Sequence, residues 1–491
     1  MVAKRSKTGL PPAADDMQGT RPTPAVFLDR DGTLIEDRGY LSEPRQVVFY
    51  PETIHALRKL QAHFLLFIVT NQSGISQGVL RPEDVARVHA CLVQYLKDEG
   101  VTIRQVYSCP HAREDGCACR KPNPFFLLQA ACDHGVDLSR SFVIGDHPAD
   151  IACAANAGAR GIYVLSGHGA KHRNELAVPC EVTEGISDAA DAVLCARAAE
   201  VLRHGGIVAF PTETVYGLGA DALDRIAVRR IFDVKGRPRT HPLIVHLESS
   251  AMLGEWAVEV PDIAVRLAEH FWPGPLTIIL KRSTKVPDEV TGSQETIGIR
   301  VPSHSLAQRL LKEFGGGLAA PSANRFGRVS PTTAEHVLND LGSDVDFILD
   351  GGPCKIGIES TIVDLSAGSP VILRPGGVPQ EDLEDFLGQT VPIGQTGMRA
   401  PGAHASHYAP HAEVRIVSPG QVEQLAARLS AHGVRTEILQ PEAQTLYSAL
   451  READRRNVEV IIVPCPSETG LGLAVADRLR KASEPRLALQ R

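Results

Sequence analysis

A chain of 491 residues is too long for one ordinary core, and a prior of roughly 100–200 residues per domain makes it about three domains. Its 43% apolar and 22% charged residues supply material for buried cores, while a formal charge of −7 argues against a protein that coats nucleic acid through a strong basic field. No apolar run approaches the roughly 20 residues of a membrane span, and the basic, Pro-containing stretch 1–24 reads as a disordered tail rather than a secretory signal, so a cytoplasmic protein is expected.

From 25 to 167, short apolar runs (26–28, 64–69, 105–107, 141–144) alternate with helical patterns (51–63, 82–99, 124–134, 149–158). That alternation predicts a parallel sheet with its site at the carboxyl ends of the strands. Residues 168–186 read as a polar linker. A second α/β unit, 187–386, opens on Ile186, Ala190, Val193, Leu194, Ala198, Val201 and Leu202 at helical spacing, then mixes short strands with helices without strict alternation. A Gly-, Pro- and His-rich arm, 387–412, leads to a small open sheet in 413–491, with strands at 413–417, 436–439 and 458–463. Seven of the ten cysteines are scattered singly and form no disulfide pattern.

Asp29 and Asp31, in Asp29-Arg30-Asp31-Gly32-Thr33, follow the first apolar strand. One carboxylate there could attack phosphorus and its neighbour move a proton. Thr70, Asn71, Gln72 and Ser73 follow the second strand and offer donors for phosphoryl oxygens. Arg120 and Lys121 bring fixed positive charge, and Asp146 follows the fourth strand, where with Asp29 and the carbonyl of Asp31 it would hold magnesium. Cys109, His111, Cys117 and Cys119 form a Cys₃His set within one loop, suited to a structural tetrahedral zinc. In this order the residues resemble the haloacid dehalogenase phosphatases. With the clip and Cys119-Arg120-Lys121-Pro122 they resemble the histidinol-phosphate and D-glycero-D-manno-heptose 1,7-bisphosphate phosphatases. The resemblance implies a Rossmannoid parallel sheet, an aspartyl-phosphate on Asp29, acid–base work by Asp31, and phosphate contacts from Thr70, Arg120 and Lys121. His147 stands where those relatives are expected to have Lys or Arg; heptose bisphosphate is the first choice of substrate and histidinol phosphate the alternative.

The second unit carries Pro211-Thr212-Glu213-Thr214-Val215-Tyr216-Gly217-Leu218-Gly219, then Lys235-Gly236-Arg237, two cations on one loop that suit a polyphosphate. Thr296 to Pro302, Ser322-Ala323-Asn324, Ser330, Glu359-Ser360-Thr361 and Leu373-Arg374-Pro375-Gly376 complete the set. Together they resemble the YrdC-like domain of L-threonylcarbamoyladenylate synthase, and Ala400-Pro401-Gly402 with His407-Tyr408-Ala409-Pro410 resemble the linker to the Rossmann-like C-terminal domain of its long form. The resemblance implies ATP binding by Lys235, Arg237, His241, Thr296, Ser322, Asn324, Ser330 and Arg374. It implies threonine binding by Thr214, His246, Arg300, Ala320 and Ser360. His241 departs from an expected Asn.

The implied substrates are ATP, L-threonine, bicarbonate and a sugar phosphate, with Mg²⁺ and structural Zn²⁺ as cofactors. Downstream transferase proteins that modify tRNA are the implied partners; no membrane and no tight direct nucleic-acid binding are expected. Two other readings of the second unit are an RNA-binding module and a carbamoyl-transfer maturation factor. The chain lacks the paired Cys-x-x-Cys fingers of the latter. A non-catalytic scaffold is the alternative for the first unit, and the presence of Asp29, Asp31, Lys121 and Asp146 argues against it.

Overall fold

The structure is a computed structural model describing residues 22–402 and 408–484. Most of the expected tail, and His407, lie outside the described residues. Thr23, expected within the tail, already bridges to Val136. The chain divides into two compact units between Val193 and Leu194, inside the helix Ile186–Arg203. Among the described residues no helix is long and apolar enough to cross a membrane.

The first unit is built on a six-stranded sheet in the order β3-β2-β1-β4-β5-β6, with β1 Ala25–Leu28, β2 Leu65–Asn71, β3 Gln105–Cys109, β4 Phe142–Gly145, β5 Arg160–Val164 and β6 Glu181–Thr183. Every neighbouring pair is parallel. β1 is buried along its whole length, which is why it reads as an unbroken apolar run rather than an alternating one. Helices α1 Thr53–Gln61, α2 Pro82–Asp98, α3 Phe125–His134 and α4 Pro148–Ala157 form the crossovers. The expected linker 168–186 is not a free connection: Glu181–Thr183 is the sheet's edge strand, registered against Ile162–Val164. Its brevity and polar flanks hide it from a periodicity reading.

In the second unit one sheet runs in the order Phe347–Ile348, Val208–Phe210, Gly217–Asp221, Leu318–Ala319, Ile244–His246, Thr296–Arg300, Leu276–Arg282, Thr361–Asp364, Val371–Arg374. It mixes parallel and antiparallel neighbours. Helices Arg225–Lys235, Asp262–Phe271 and Ser305–Phe314 bury apolar faces of Val228, Ile231, Phe232, Leu267, Leu310 and Leu311. A separate three-stranded parallel sheet, ordered Glu413–Val417, Val460–Pro464, Thr436–Ile438, forms the C-terminal part. The arm between them is packed down: Ala400 joins Ile244, Ile279 and Ile362 in an apolar cluster, and Ala409 pairs with Arg328.

Candidate functional sites

The carboxyl ends of β1, β2 and β4 converge on a cleft of about 970 Å³. Asp29 leaves β1 with its N–H on the carbonyl of Ile144 at 2.9 Å. Lys121, 6% exposed, reaches across to donate to Asp29 Oδ1 at 2.5 Å and to the Val69 carbonyl at 2.8 Å, and pairs with Asp150 at 2.6 Å. Asp31 is held by both Nε and Nη2 of Arg30 at 3.0 Å and by Gln72 Nε2 at 3.0 Å, with Thr70 behind Gln72 at 2.8 Å. Asn71 Oδ1 accepts the Lys121 N–H at 3.2 Å, fixing the lysine's backbone. Asn71, Ser73 and Arg120 line the same cleft. The sequence-predicted phosphoryl residues are therefore brought together.

Asp29, Asp146 and Asp150 offer carboxylate oxygens within 4.8 Å of one another. Burial first, and then the crowding of Asp150, Asp146 and Asp31 against the opposing pull of Lys121, pushes Asp29 well above the ordinary carboxylate value. Asp146 is pushed up to about 6, by burial and by Asp150. Carboxylates gathered at this cost fit a hard divalent cation. To the expected set of Asp29, Asp146 and the Asp31 carbonyl the geometry adds Asp150, while the Asp31 carboxylate turns to Arg30 and Gln72. Asp150 also accepts the His147 N–H at 3.0 Å, and His147 Nδ1 accepts that of Ala149 at 3.2 Å. His147 thus caps α4. Gly32, at φ +78°, is a steric requirement: a Cβ there would lie 2.1 Å from Asp146 Oδ2.

Cys109 ends β3, and the loop returns Cys117 and Cys119 to it. The sulfurs are 3.4–3.6 Å apart, and His111 Nδ1 is 3.7 Å from Cys109 and 3.4 Å from Cys119. A tetrahedral zinc with Zn–S near 2.3 Å requires S–S edges of roughly 3.8 Å, so the four atoms fit that ion with a slight expansion. Arg120 Nη1 donates to the His111 carbonyl at 3.0 Å, which ties the clip to the cleft.

In the second unit a cavity of about 50 Å³ is lined by Thr214, Arg237, His246, Arg300, Ala320, Ser322, Ser360 and Arg374, with Pro401, Gly402 and Tyr408 of the arm also in its wall. Helix Arg225–Lys235 ends at Gly236 in the left-handed conformation, which turns Arg237 inward. Lys235, 3% exposed, donates to the main-chain carbonyls of Ser322 and Asn324 and faces Asn324 Oδ1 at 3.4 Å. Those acceptors match its three N–H groups, so as it stands Lys235 pins the Ser322–Asn324 loop. Burial and Arg237 lower it well below the ordinary lysine value. Arg237 is lowered to about 10, by burial and by Arg374. Buried cations that depress one another fit a polyanion.

Arg300 donates to Thr214 Oγ1 at 2.9 Å and pairs with Glu213 at 2.7 Å; Ser360 Oγ meets Thr277 Oγ1 at 2.8 Å and Arg374 Nη2 at 3.1 Å. His246 is lowered to about 3, by burial and then Arg300, and is neutral at physiological pH. Ser330 donates to Glu359 at 2.7 Å, behind the cavity. Thr296 lines a smaller adjoining cleft with Ile244 and Pro401, and His241 stands against the Phe326 ring at 5.4 Å. Together with Lys235 and Asn324, these last three are the expected nucleotide residues that do not line the main cavity.

Residues 200–376 match the family model described as Telomere recombination, the Sua5/YciO/YrdC domain, and residues 378–484 match that of the threonylcarbamoyl-AMP synthase C-terminal domain. The threonylcarbamoyl-AMP synthase of Pyrococcus abyssi is 43% identical over 319 residues, covering 59% of this chain and 94% of that protein. The chain belongs to the threonylcarbamoyl-AMP synthase family. The Bacillus subtilis threonylcarbamoyl-AMP synthase is 40% identical over 323 residues, covering 60% of this chain and 93% of its own. The crystal structure of P. abyssi Sua5 complexed with L-threonine is similar at 42% identity and TM-score 0.57, over 59% of this chain and 94% of that one. Ahead of the synthase part, residues 118–192 match a HAD-hydrolase-like model, so the chain joins a haloacid dehalogenase-like phosphatase domain to a synthase.

Proposed function

We propose that the second unit condenses L-threonine, bicarbonate and ATP to threonylcarbamoyl-AMP and pyrophosphate, and that the first hydrolyses a sugar-phosphate monoester. The observation that carries the synthase reading is the single cavity shared by Arg237, Ser322 and Arg374 with Thr214, Arg300 and Ser360. A relative whose crystal structure contains L-threonine supports seating threonine on the Thr214–Arg300 side, with its carboxylate toward Arg300. Threonine's amine takes up bicarbonate as a carbamate, a carbamate oxygen attacks the α-phosphorus, and pyrophosphate leaves. Arg237 and Arg374 neutralise the departing charge while Lys235 holds the loop that Ser322 presents. Neutral His246 can accept a hydrogen bond without adding charge. The product would pass to transferase proteins that modify the adenosine beside a tRNA anticodon. Pyrophosphate release that requires both threonine and bicarbonate tests this; release independent of threonine sinks it.

For the phosphatase, the carrying observation is Lys121 bridging Asp29 and Asp150. Asp29 attacks phosphorus, Asp31 in its Arg30–Gln72 cradle protonates the leaving oxygen and later takes the water's proton, and Lys121, Thr70 and Arg120 hold the phosphoryl group. Asp29, Asp146 and Asp150, with the Asp31 carbonyl, would hold magnesium, which when bound offsets charge between carboxylate and phosphate. Zinc on Cys109, His111, Cys117 and Cys119 would brace the Arg120–Lys121 segment. Heptose 1,7-bisphosphate is the substrate proposed and histidinol phosphate its competitor. Turnover of both, side by side with unrelated phosphate monoesters, decides between them.

A further inference from the structure

The stretch expected to open a linker reaches back into the phosphatase cleft. After β5 the Ser166 Oγ donates to the Gly32 carbonyl at 2.7 Å, and the His168 main-chain N–H donates to Asp146 Oδ2 at 2.8 Å. Gly167 between them, at φ +56°, permits the approach: a Cβ there would stand 2.3 Å from Gly32 Cα and 2.4 Å from Asp146 Oδ2. The His168 imidazole is held in turn, with Nε2 3.0 Å from Asp37 Oδ2, and both residues line the cleft. Asp37 lies on the segment that leaves β1 through Asp29 and Asp31. One residue thus fixes a carboxylate with its main chain and is anchored by its side chain to the segment that carries the nucleophile.

A carboxylate is rigid and planar, so fixing one oxygen restricts where the other can point, and an N–H on the first favours the anion that a cation needs. Magnesium demands near-ideal octahedral geometry, so a misaimed carboxylate costs affinity. With 55% of its side chain exposed, the His168 ring has little packing besides the His172 ring, 6.2 Å away between centroids, which leaves Asp37 as its main anchor. We propose that His168 is a positioning residue for the magnesium site: its main-chain N–H aims Asp146, and the contact of its imidazole with Asp37 keeps that N–H in place. The inference rests on reading Asp29, Asp146 and Asp150 as ligands of the cation.

Mn²⁺ is the probe, because free Mn²⁺ is counted directly by electron paramagnetic resonance and its preference for oxygen ligands keeps it off the thiolates of the clip. On the full chain without ATP, His168→Ala and Asp37→Ala each raise the Kd for Mn²⁺ about tenfold, and the double variant raises it no further than either alone. His168→Gln, whose amide can still donate to Asp37, stays within about threefold of the parent. An imidazole carries no negative charge, so weakening in His168→Ala cannot come from lost attraction for the cation. Should His168→Ala fail to fold, His168→Ser, too short to reach Asp37, takes its place. An unchanged Kd in the folded variant overturns the role of His168, and effects that multiply in the double variant overturn the link to Asp37. Asp146→Asn separates this from the reading beneath it: if that variant keeps the parental Mn²⁺ affinity, the cation site itself is misread, whereas if it loses Mn²⁺ and His168→Ala does not, the site stands and only the positioning is wrong.

Discussion

The cleft beside Asp29 holds about 970 Å³ and gathers Asp29, Asp31, Asp146 and Asp150 around Lys121, whereas the cavity beside Arg237 holds about 50 Å³ and gathers Arg237, Arg300 and Arg374 with two glutamates. Each is left with charge of one sign in excess, and each is completed by a ligand of the other sign: a divalent cation in the first, a polyphosphate in the second. Access differs for a related reason. A phosphoryl group needs only the end of its ester to reach Asp29, while an adenylate must be enclosed before water competes for it.

The largest effect that could break this comparison comes from the nucleophile. Asp29→Asn keeps the shape and removes the anion, so phosphatase turnover falls by at least roughly 10³-fold, with synthesis of threonylcarbamoyl-AMP intact. Lys235→Ala should cost the synthase on the order of 10²–10³ in rate, through the loosened Ser322–Asn324 loop, and leave the phosphatase unchanged. If either substitution abolishes both reactions in folded protein, the two sites are not independent. Removing zinc, by chelator or by Cys117→Ser, should lower phosphatase activity about 10–100-fold, as for loss of a supporting shell, and metal analysis of the purified chain should find one zinc. A chain that is fully active without zinc would overturn the bracing role.

The smallest effects sharpen the buried side of the comparison. Burial raises the Glu359 carboxyl, but Arg478 and then Arg374 outweigh it and hold the group down at about 2. A carboxylate depressed on folding contributes stability that is complete above its ordinary value and is lost as pH falls toward the folded one. Unfolding measured by urea should therefore weaken from about pH 4.5 down to about pH 2, by on the order of 3 kcal/mol from this group. Tyr447→Phe removes one of its donors and should cost about 1–3 kcal/mol in the same measurement, without touching the phosphatase.

Much of this was legible in the sequence because chemistry followed immediately on buried apolar runs. Asp29, Thr70, Cys109 and Asp146 all stand at or just beyond strand ends, where a parallel sheet collects its site. The clip was legible for another reason, since four ligands within one loop need no tertiary knowledge. Asp150, four residues after Asp146, occupies the place of an ordinary first-turn acid of α4, which gives it no separate signal. Glu213 and Glu359 stood inside recognised segments, yet a carboxylate in a cation-rich site has meaning only once its partners are known. Arg478 had no local signal: on an amphipathic terminal helix an arginine reads as solvent-facing, and only the fold buries it. Lys235 was found, but its three carbonyl-directed bonds belong to the tertiary structure.

The arm bears on the rhythm of turnover. With Pro401, Gly402 and Tyr408 in place, the remaining space is a small fraction of the roughly 300 Å³ or more that enclosed ligands of nucleotide size require. A nucleotide does not fit in that space with these three residues as they stand. A kcat that falls with solvent viscosity would show that displacing these three residues, rather than bond-making at phosphorus, sets the pace; a kcat indifferent to viscosity would show the reverse.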